Sequence, residues 1–287
     1  MPDLAIVNGA ISPLEAAVIP ATDLAFLRGC GAFETWRSYG GEPHALGLHC
    51  QRLWSSAAIF GIEPFVSERE LRQWLRQARE QHGYTEVKVN AVCSPGDHHE
   101  GVFGARNPRL VLIIRELHEP PSSWYETGVD IITWLGERTF PEHKTVNYLC
   151  GVPALAKAQA SGAHEAIYLD AEGRLSEGVT SNIHARFGMT VRSPLHQCLD
   201  GITRRGIASI AQEMGLTWDE QGALRPGDLL AADEVWISSA IRELVPVVRI
   251  DGQQIADGRP GPFCQRLRQR YRSQCLDDAL AEASACV

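Results

Sequence analysis

Glu119-Pro120-Pro121-Ser122-Ser123 decides how the chain is divided. Two consecutive prolines hold φ and impose an extended path, and no core-forming residue interrupts them, so the segment predicts a linker. Residues 1–118 then form a smaller N-terminal domain, 119–125 the connection, and 126–287 a larger C-terminal domain. On the N-terminal side, Leu4-Ala5-Ile6-Val7-Asn8-Gly9-Ala10-Ile11 reads as a hairpin around an Asn-Gly turn. A second hairpin is expected from Phe33 to Ser38, with a turn at Tyr39-Gly40-Gly41 and a return strand over Pro43 to Leu48. Apolar residues Leu53, Ala57 and Phe60 then mark a helix from His49. Ser67-Glu68-Arg69-Glu70 is a capping box opening a helix to about Gln81. Strands are expected at Glu86 to Cys93 and Arg109 to Leu117.

Beyond the linker, the pattern predicts strands at Val129 to Leu135, Glu165 to Asp170 and Glu234 to Ser238. Helices are expected at Gly151 to Ser161, around Ile207 to Met214, and from Pro262 to Ala283. Hairpins come first and helices intervene irregularly, which points to an α+β fold of two domains rather than a regularly alternating doubly wound sheet.

The 287 residues are 44% hydrophobic and 22% charged, the profile of a folded chain with a substantial core. A formal charge of -8 gives no basic field for nucleic acid or an anionic membrane. No apolar run reaches the roughly 18 residues needed to span a bilayer, and Met1-Pro2-Asp3 opens no secretion signal, so the expected location is the cytoplasm. The eight cysteines contain no C-x-x-C pair and read as reduced thiols. His98, His99 and Glu100 are adjacent in a loop without a spaced third ligand, so no metal is assigned.

Only three lysines occur, Lys88, Lys144 and Lys157, against 24 arginines. A nucleophilic amine therefore has few candidates. Lys144 lies in Pro141-Glu142-His143-Lys144-Thr145-Val146-Asn147-Tyr148, where polar groups break any regular face. Glu177, in Ser176-Glu177-Gly178-Val179-Thr180-Ser181-Asn182, places a carboxylate between a turn and a strand. Gly201-Ile202-Thr203-Arg204 opens the next helix, whose first amides and Thr203 hydroxyl make an anion cup. Arg52 could add a cationic fork for a phosphate.

Taken in order, Arg28-Gly29-Cys30-Gly31-Ala32-Phe33-Glu34-Thr35, His49-x-x-Arg52-Leu53, Lys144-Thr145-Val146-Asn147-Tyr148, Glu177-Gly178-Val179-Thr180-Ser181-Asn182, Gly201-Ile202-Thr203-Arg204 and Glu234-Val235-Trp236-Ile237 to Pro246-Val247 resemble the class IV aminotransferases. These are the fold type IV enzymes of pyridoxal 5'-phosphate. The resemblance runs from the first hairpin to about Gly252. It implies an N-terminal α/β sandwich and a C-terminal pseudo-barrel.

It also implies roles, residue by residue. Lys144 matches the lysine that bonds the cofactor aldehyde and then carries the proton, and Glu177 the carboxylate paired with the pyridine nitrogen. Arg52, Ile202 and Thr203 match the phosphate cup, and Tyr148 a tyrosine near cofactor and substrate. Ala240 stands where many relatives have a threonine phosphate ligand, with Ser239 as a substitute hydroxyl. Arg28 and the later Ser94-Pro95-Gly96-Asp97 loop look most like D-amino acid aminotransferases, in which Arg28 would clamp the substrate carboxylate, with Lys88 as a second cation. The implied reaction moves an amino group between an amino acid, a D-enantiomer, and a 2-oxo acid in a homodimer. Aminodeoxychorismate lyase, branched-chain aminotransferase and (R)-amine transaminase share the same cofactor residues.

Overall fold

The computed structural model describes residues 3–98 and 104–285, with the side chain of residue 285 outside the description. The chain forms two compact units. One takes in the residues up to His118, His143–Asn147 and the C-terminal stretch from Cys275; the other takes in Glu119–Glu142 and Tyr148–Gln274. His99 and Glu100 lie outside the described residues, among which no group of His, Cys, Asp and Glu is arranged to hold a metal. Among the same residues, no helix is long and apolar enough to cross a membrane.

The first unit is built on six strands: β1 (Leu4–Val7), β2 (Ala10–Pro13), β3 (Ala32–Tyr39), β4 (Glu42–Pro43), β5 (Val87–Ser94) and β6 (Arg109–Glu116). Their order across the sheet is β2-β1-β6-β5-β3-β4, antiparallel throughout. The helices are α1 (Leu24–Arg28), α2 (Leu46–Ala57) and α3 (Glu68–His82). Strand period sets the packing. Ala32 and Trp36 of β3, Val89, Ala91 and Cys93 of β5, and Leu110, Leu112 and Ile114 of β6 share one face. They bury it against Leu46, Leu53 and Ala57 of α2 and Leu71 and Ala78 of α3. The opposite face carries Phe33, Thr35 and Arg37 beside Val92, Asn90 and Lys88.

The expected hairpin at Asn8-Gly9 is present, as is the capping box, with Glu70 N donating to Ser67 Oγ at 3.2 Å and Ser67 N donating to the Glu70 carboxylate at 2.8 Å. The expected return strand over Pro43 to Leu48 is not. Only Glu42–Pro43 pairs with β3, because Ala45 takes a left-handed conformation at φ 52° and turns the chain so that Leu46 starts α2 fully buried.

The second unit contains α4 (Ser123–Glu126), β7 (Val129–Leu135), α5 (Gly151–Ala160), β8 (Glu165–Leu169), β9 (Leu175–Gly178), β10 (Asn182–Phe187), β11 (Thr190–Arg192) and α6 (Ile202–Glu213). It continues through β12 (Thr217–Asp219), α7 (Pro226–Leu230), β13 (Glu234–Ser239), β14 (Glu243–Ile250), β15 (Gln253–Gln254) and the long α8 (Pro262–Ala285), whose last turns from Cys275 count with the first unit. Nine strands make one mixed sheet in the order β12-β11-β10-β13-β14-β7-β8-β9, with β15 on β14. The β14-β7-β8 and β11-β12 pairs are parallel. Ile131, Ile167, Ile183, Val235, Ile237, Val245 and Val247 form the larger core, while Ala154 and Ala158 of α5 pack on Ala166 and Tyr168. This is the α+β architecture expected from the pattern of elements.

Candidate functional site

In the first unit, the residues around Lys144 are tied to the sheet as an added strand edge. Phe33 N donates to Lys144 O at 2.9 Å and Val146 N to Gly31 O at 3.0 Å, with Thr145 bridging Ala32 between them. Helix α2 supplies a third tether, since Lys144 N donates to Ser56 Oγ at 2.9 Å. The Lys144 ammonium sits 4.4 Å from the centre of the Phe33 ring, a cation–π contact. The lysine is half-buried and its backbone is fixed on three sides.

The same helix face carries Arg52. His49, Arg52 and Ser56 fall at i, i+3 and i+7, so one face of α2 presents all three. Glu34, fully buried on β3, receives Arg52 Nε at 2.7 Å and Nη2 at 2.9 Å and meets His49 Nδ1 at 2.7 Å. Burial alone would raise the Glu34 carboxyl, yet the Arg52 guanidinium and then His49 hold it down at about 2. Burial pushes the His49 imidazole below its ordinary value, with Arg52 and Lys144 acting in the same direction against Glu34. Glu34 therefore fixes the plane of the Arg52 fork.

Arg28 and Lys88 also belong to this unit but to different elements. Arg28 ends α1 and is exposed, donating to Leu27 O at 3.0 Å. Helix α1 is held by Asp23, whose carboxylate accepts from Ala25 N at 2.8 Å, Ser94 Oγ at 2.5 Å and Arg109 Nη1 at 2.9 Å. Lys88 faces away from the Val89 core, in register with Arg37 on one side and Arg115 on the other.

In the second unit, Glu177 is the last residue but one of β9 and is 4% exposed. Its Oε1 accepts Arg138 Nη1 at 2.7 Å and its Oε2 accepts Leu199 N at 3.1 Å. Asn182 Nδ2 donates to Leu199 O at 2.8 Å, holding that loop from the other side. The same loop enters α6 through Gly201, where a Cβ would lie 2.1 Å from Asn182 Oδ1. Only glycine fits this approach. Among the described residues no side chain caps α6, and Thr203 is buried in its first turn, so the first amides and the hydroxyl make an end suited to an anion.

Asn182 stands opposite Ser238 in the β10–β13 register, which brings the start of β10 beside the end of β13, where Ser239 lies. Tyr148 belongs to this unit as well. Burial raises its phenol, with Glu177 and Glu165 adding to the rise and Arg138 and Arg242 opposing it, so the hydroxyl stays protonated at neutral pH.

The structure thus groups Lys144 with Arg52 on one side of the division, and Glu177 with Tyr148 and the Ile202–Thr203 helix end on the other. Arg138, Glu34, Asn182 and Arg242 were not identified as participants from sequence. Glu34, Asn182 and Arg242 lie inside the stretches that carry the resemblance, whereas nothing around Arg138 distinguishes it from a surface arginine.

The family described as amino-transferase class IV matches residues 31–250. A D-alanine aminotransferase of Bacillus licheniformis is 30% identical over 278 residues, covering 94% of this chain and 96% of that protein. An aminodeoxychorismate lyase of Bacillus subtilis is 29% identical over 255 residues, covering 85% and 86% respectively. A solved branched-chain amino acid aminotransferase of Escherichia coli superposes with a TM-score of 0.88 at 26% identity, covering 97% of this chain and 96% of that one.

Proposed function

The chain belongs to the class IV aminotransferases, and from that premise we propose that it moves an amino group between a D-amino acid and a 2-oxo acid such as 2-oxoglutarate or pyruvate. Class IV aminotransferases use pyridoxal 5'-phosphate, and the donor set of this chain suits that group's three polar ends: a carboxylate for the ring nitrogen, an uncapped helix end for the phosphate and a lysine amine for the aldehyde. When bound, the cofactor supplies an aldehyde that condenses with amines and a ring that withdraws electrons from the reacting carbon.

The observation that carries this reading is Glu177, a carboxylate 4% exposed and gripped by Arg138 and the Leu199 amide. A buried acid so oriented holds a proton on a ring nitrogen through a charge-assisted hydrogen bond. Lys144 Nζ provides the amine and, once released by substrate, moves the proton at the reacting carbon. Arg52, Ile202, Thr203 and Ser239 anchor the phosphate, remote from the bonds that change. Tyr148, protonated, borders the substrate.

Arg28 and Lys88 are assigned to the substrate carboxylate. Likeness to the Bacillus licheniformis D-alanine aminotransferase supports the D-enantiomer. A cytoplasmic homodimer completes the reading.

The purified protein is expected to show a near-visible absorbance band that Lys144→Ala abolishes; a colourless protein that ignores added cofactor overturns the proposal. D-Alanine with 2-oxoglutarate is expected to turn over faster than L-leucine with the same acceptor. The reverse order transfers the chain to the branched-chain enzymes, and pyruvate release from aminodeoxychorismate without an acceptor to the lyases.

A further inference from the structure

Ala240 has no hydroxyl at the end of β13, so a phosphate there depends on Ser239 for a side-chain hydroxyl from this turn. The structure surrounds Ser239 with an unusual brace. Arg242 Nε donates to Ser239 Oγ at 3.0 Å, which occupies the oxygen and turns the single Ser239 proton away from the guanidinium. Arg242 Nη2 reaches in the opposite direction, to Thr180 Oγ1 at 2.6 Å, Thr180 O at 2.9 Å and the fully buried Glu165 Oε2 at 3.1 Å. Thr180 and Ser181, three and four residues beyond Glu177, themselves donate to Glu165 at 2.6 and 3.0 Å. One guanidinium therefore joins the end of β13 to the turn that follows Glu177.

The turn carrying Arg242 is itself held in place. Tyr125 Oη donates to Arg242 O at 2.9 Å. The next residue, Glu243, adopts φ 57°, a left-handed conformation costly for a side chain with a Cβ, and it is fully buried in ion pairs with Arg268 at 2.9 Å and Arg272 at 3.3 Å. A strained position persists only when its surroundings over-determine it, and such positions pre-organise sites.

We propose that Arg242 is a positioning residue for Ser239: it aims the Ser239 hydroxyl at the cofactor phosphate and so replaces the donor that Ala240 lacks. The inference rests on the reading of Ile202, Thr203 and Ser239 as the phosphate end of a pyridoxal 5'-phosphate site. It assigns Arg242 no contact with the reacting atoms.

The test is a titration of the apoprotein with pyridoxal 5'-phosphate, read by absorbance, together with the phosphorus chemical shift of the bound phosphate. Ser239→Ala and Arg242→Gln are each expected to weaken cofactor binding about fivefold, the scale of one lost neutral hydrogen bond. The double variant is expected to be no weaker than either single one, and both single variants to shift the phosphorus signal alike. Adding Ala240→Thr to Arg242→Gln restores a hydroxyl and is expected to recover the affinity, which a general structural defect would not permit.

Wild-type affinity in Arg242→Gln, additive losses in the double variant, or no recovery with Ala240→Thr overturns the proposal. Should Arg242→Gln fail to fold, Arg242→Lys keeps the charge and loses the fork, and the same fivefold loss is expected of it. A wild-type protein that binds no cofactor at all instead overturns the reading of the site.

Discussion

Glu177 and Glu34 are both buried acids, yet their partners give them different work. Glu177 shares its oxygens between Arg138 and a backbone amide. Under the proposed role of Glu177 beside the ring nitrogen, replacing it with Gln keeps the shape but removes the charge, so kcat is expected to fall about 100-fold while cofactor affinity changes little, as stopped-flow and titration would show. Glu34 is spent on Arg52 and His49. Its carboxyl lies at about 2 when folded against 4.5 for the unperturbed side chain, so the stability it contributes is complete above about pH 4.5 and is lost as the pH falls toward 2. Acid unfolding followed by circular dichroism should steepen in that window, and Glu34→Gln should flatten it while destabilising the protein at pH 7, since Arg52 loses its buried partner.

Among the elements, α1 is held through one side chain, Asp23. Asp23 caps it and also receives Ser94 and Arg109, and Arg109 reaches on to Asp97 at 2.7 Å. Asp23→Ala is expected to cost about 2 kcal/mol in urea unfolding, combining a lost cap with the loss of one of the two carboxylates that pair with Arg109. Under the proposed role of Arg28, KM for the amino acid should rise more than kcat falls. Elements defined by local interactions were legible beforehand: the Asn8-Gly9 hairpin, the Ser67–Glu70 capping box, and β7, expected at Val129 to Leu135 and found there. The misread return strand after Gly41 shows the limit, because nothing in Glu42 to Leu48 announces that Ala45 turns left-handed.

Across the whole chain, the scarcity of lysine becomes an experimental handle. With Lys88, Lys144 and Lys157 the only side-chain amines, borohydride reduction of the cofactor-loaded protein should attach one pyridoxyl phosphate per chain. Peptide mass mapping is expected to place it on Lys144; label on Lys88 or Lys157 contradicts the assignment.

Sequence alone determined the elements set by local interactions and the chemistry on offer, since hydrophobic period, turn residues and caps act over a few positions, and a lysine, an acid and a glycine-led helix are recognisable as residue types. Tertiary structure alone decided which of many arginines matter. Arg138 meets Glu177 across 39 positions, Arg242 meets Glu165 across 77, and Ser56 meets Lys144 across 88. Such pairings are set by how sheets and loops close in space, and no local preference of a guanidinium or a hydroxyl encodes its distant partner.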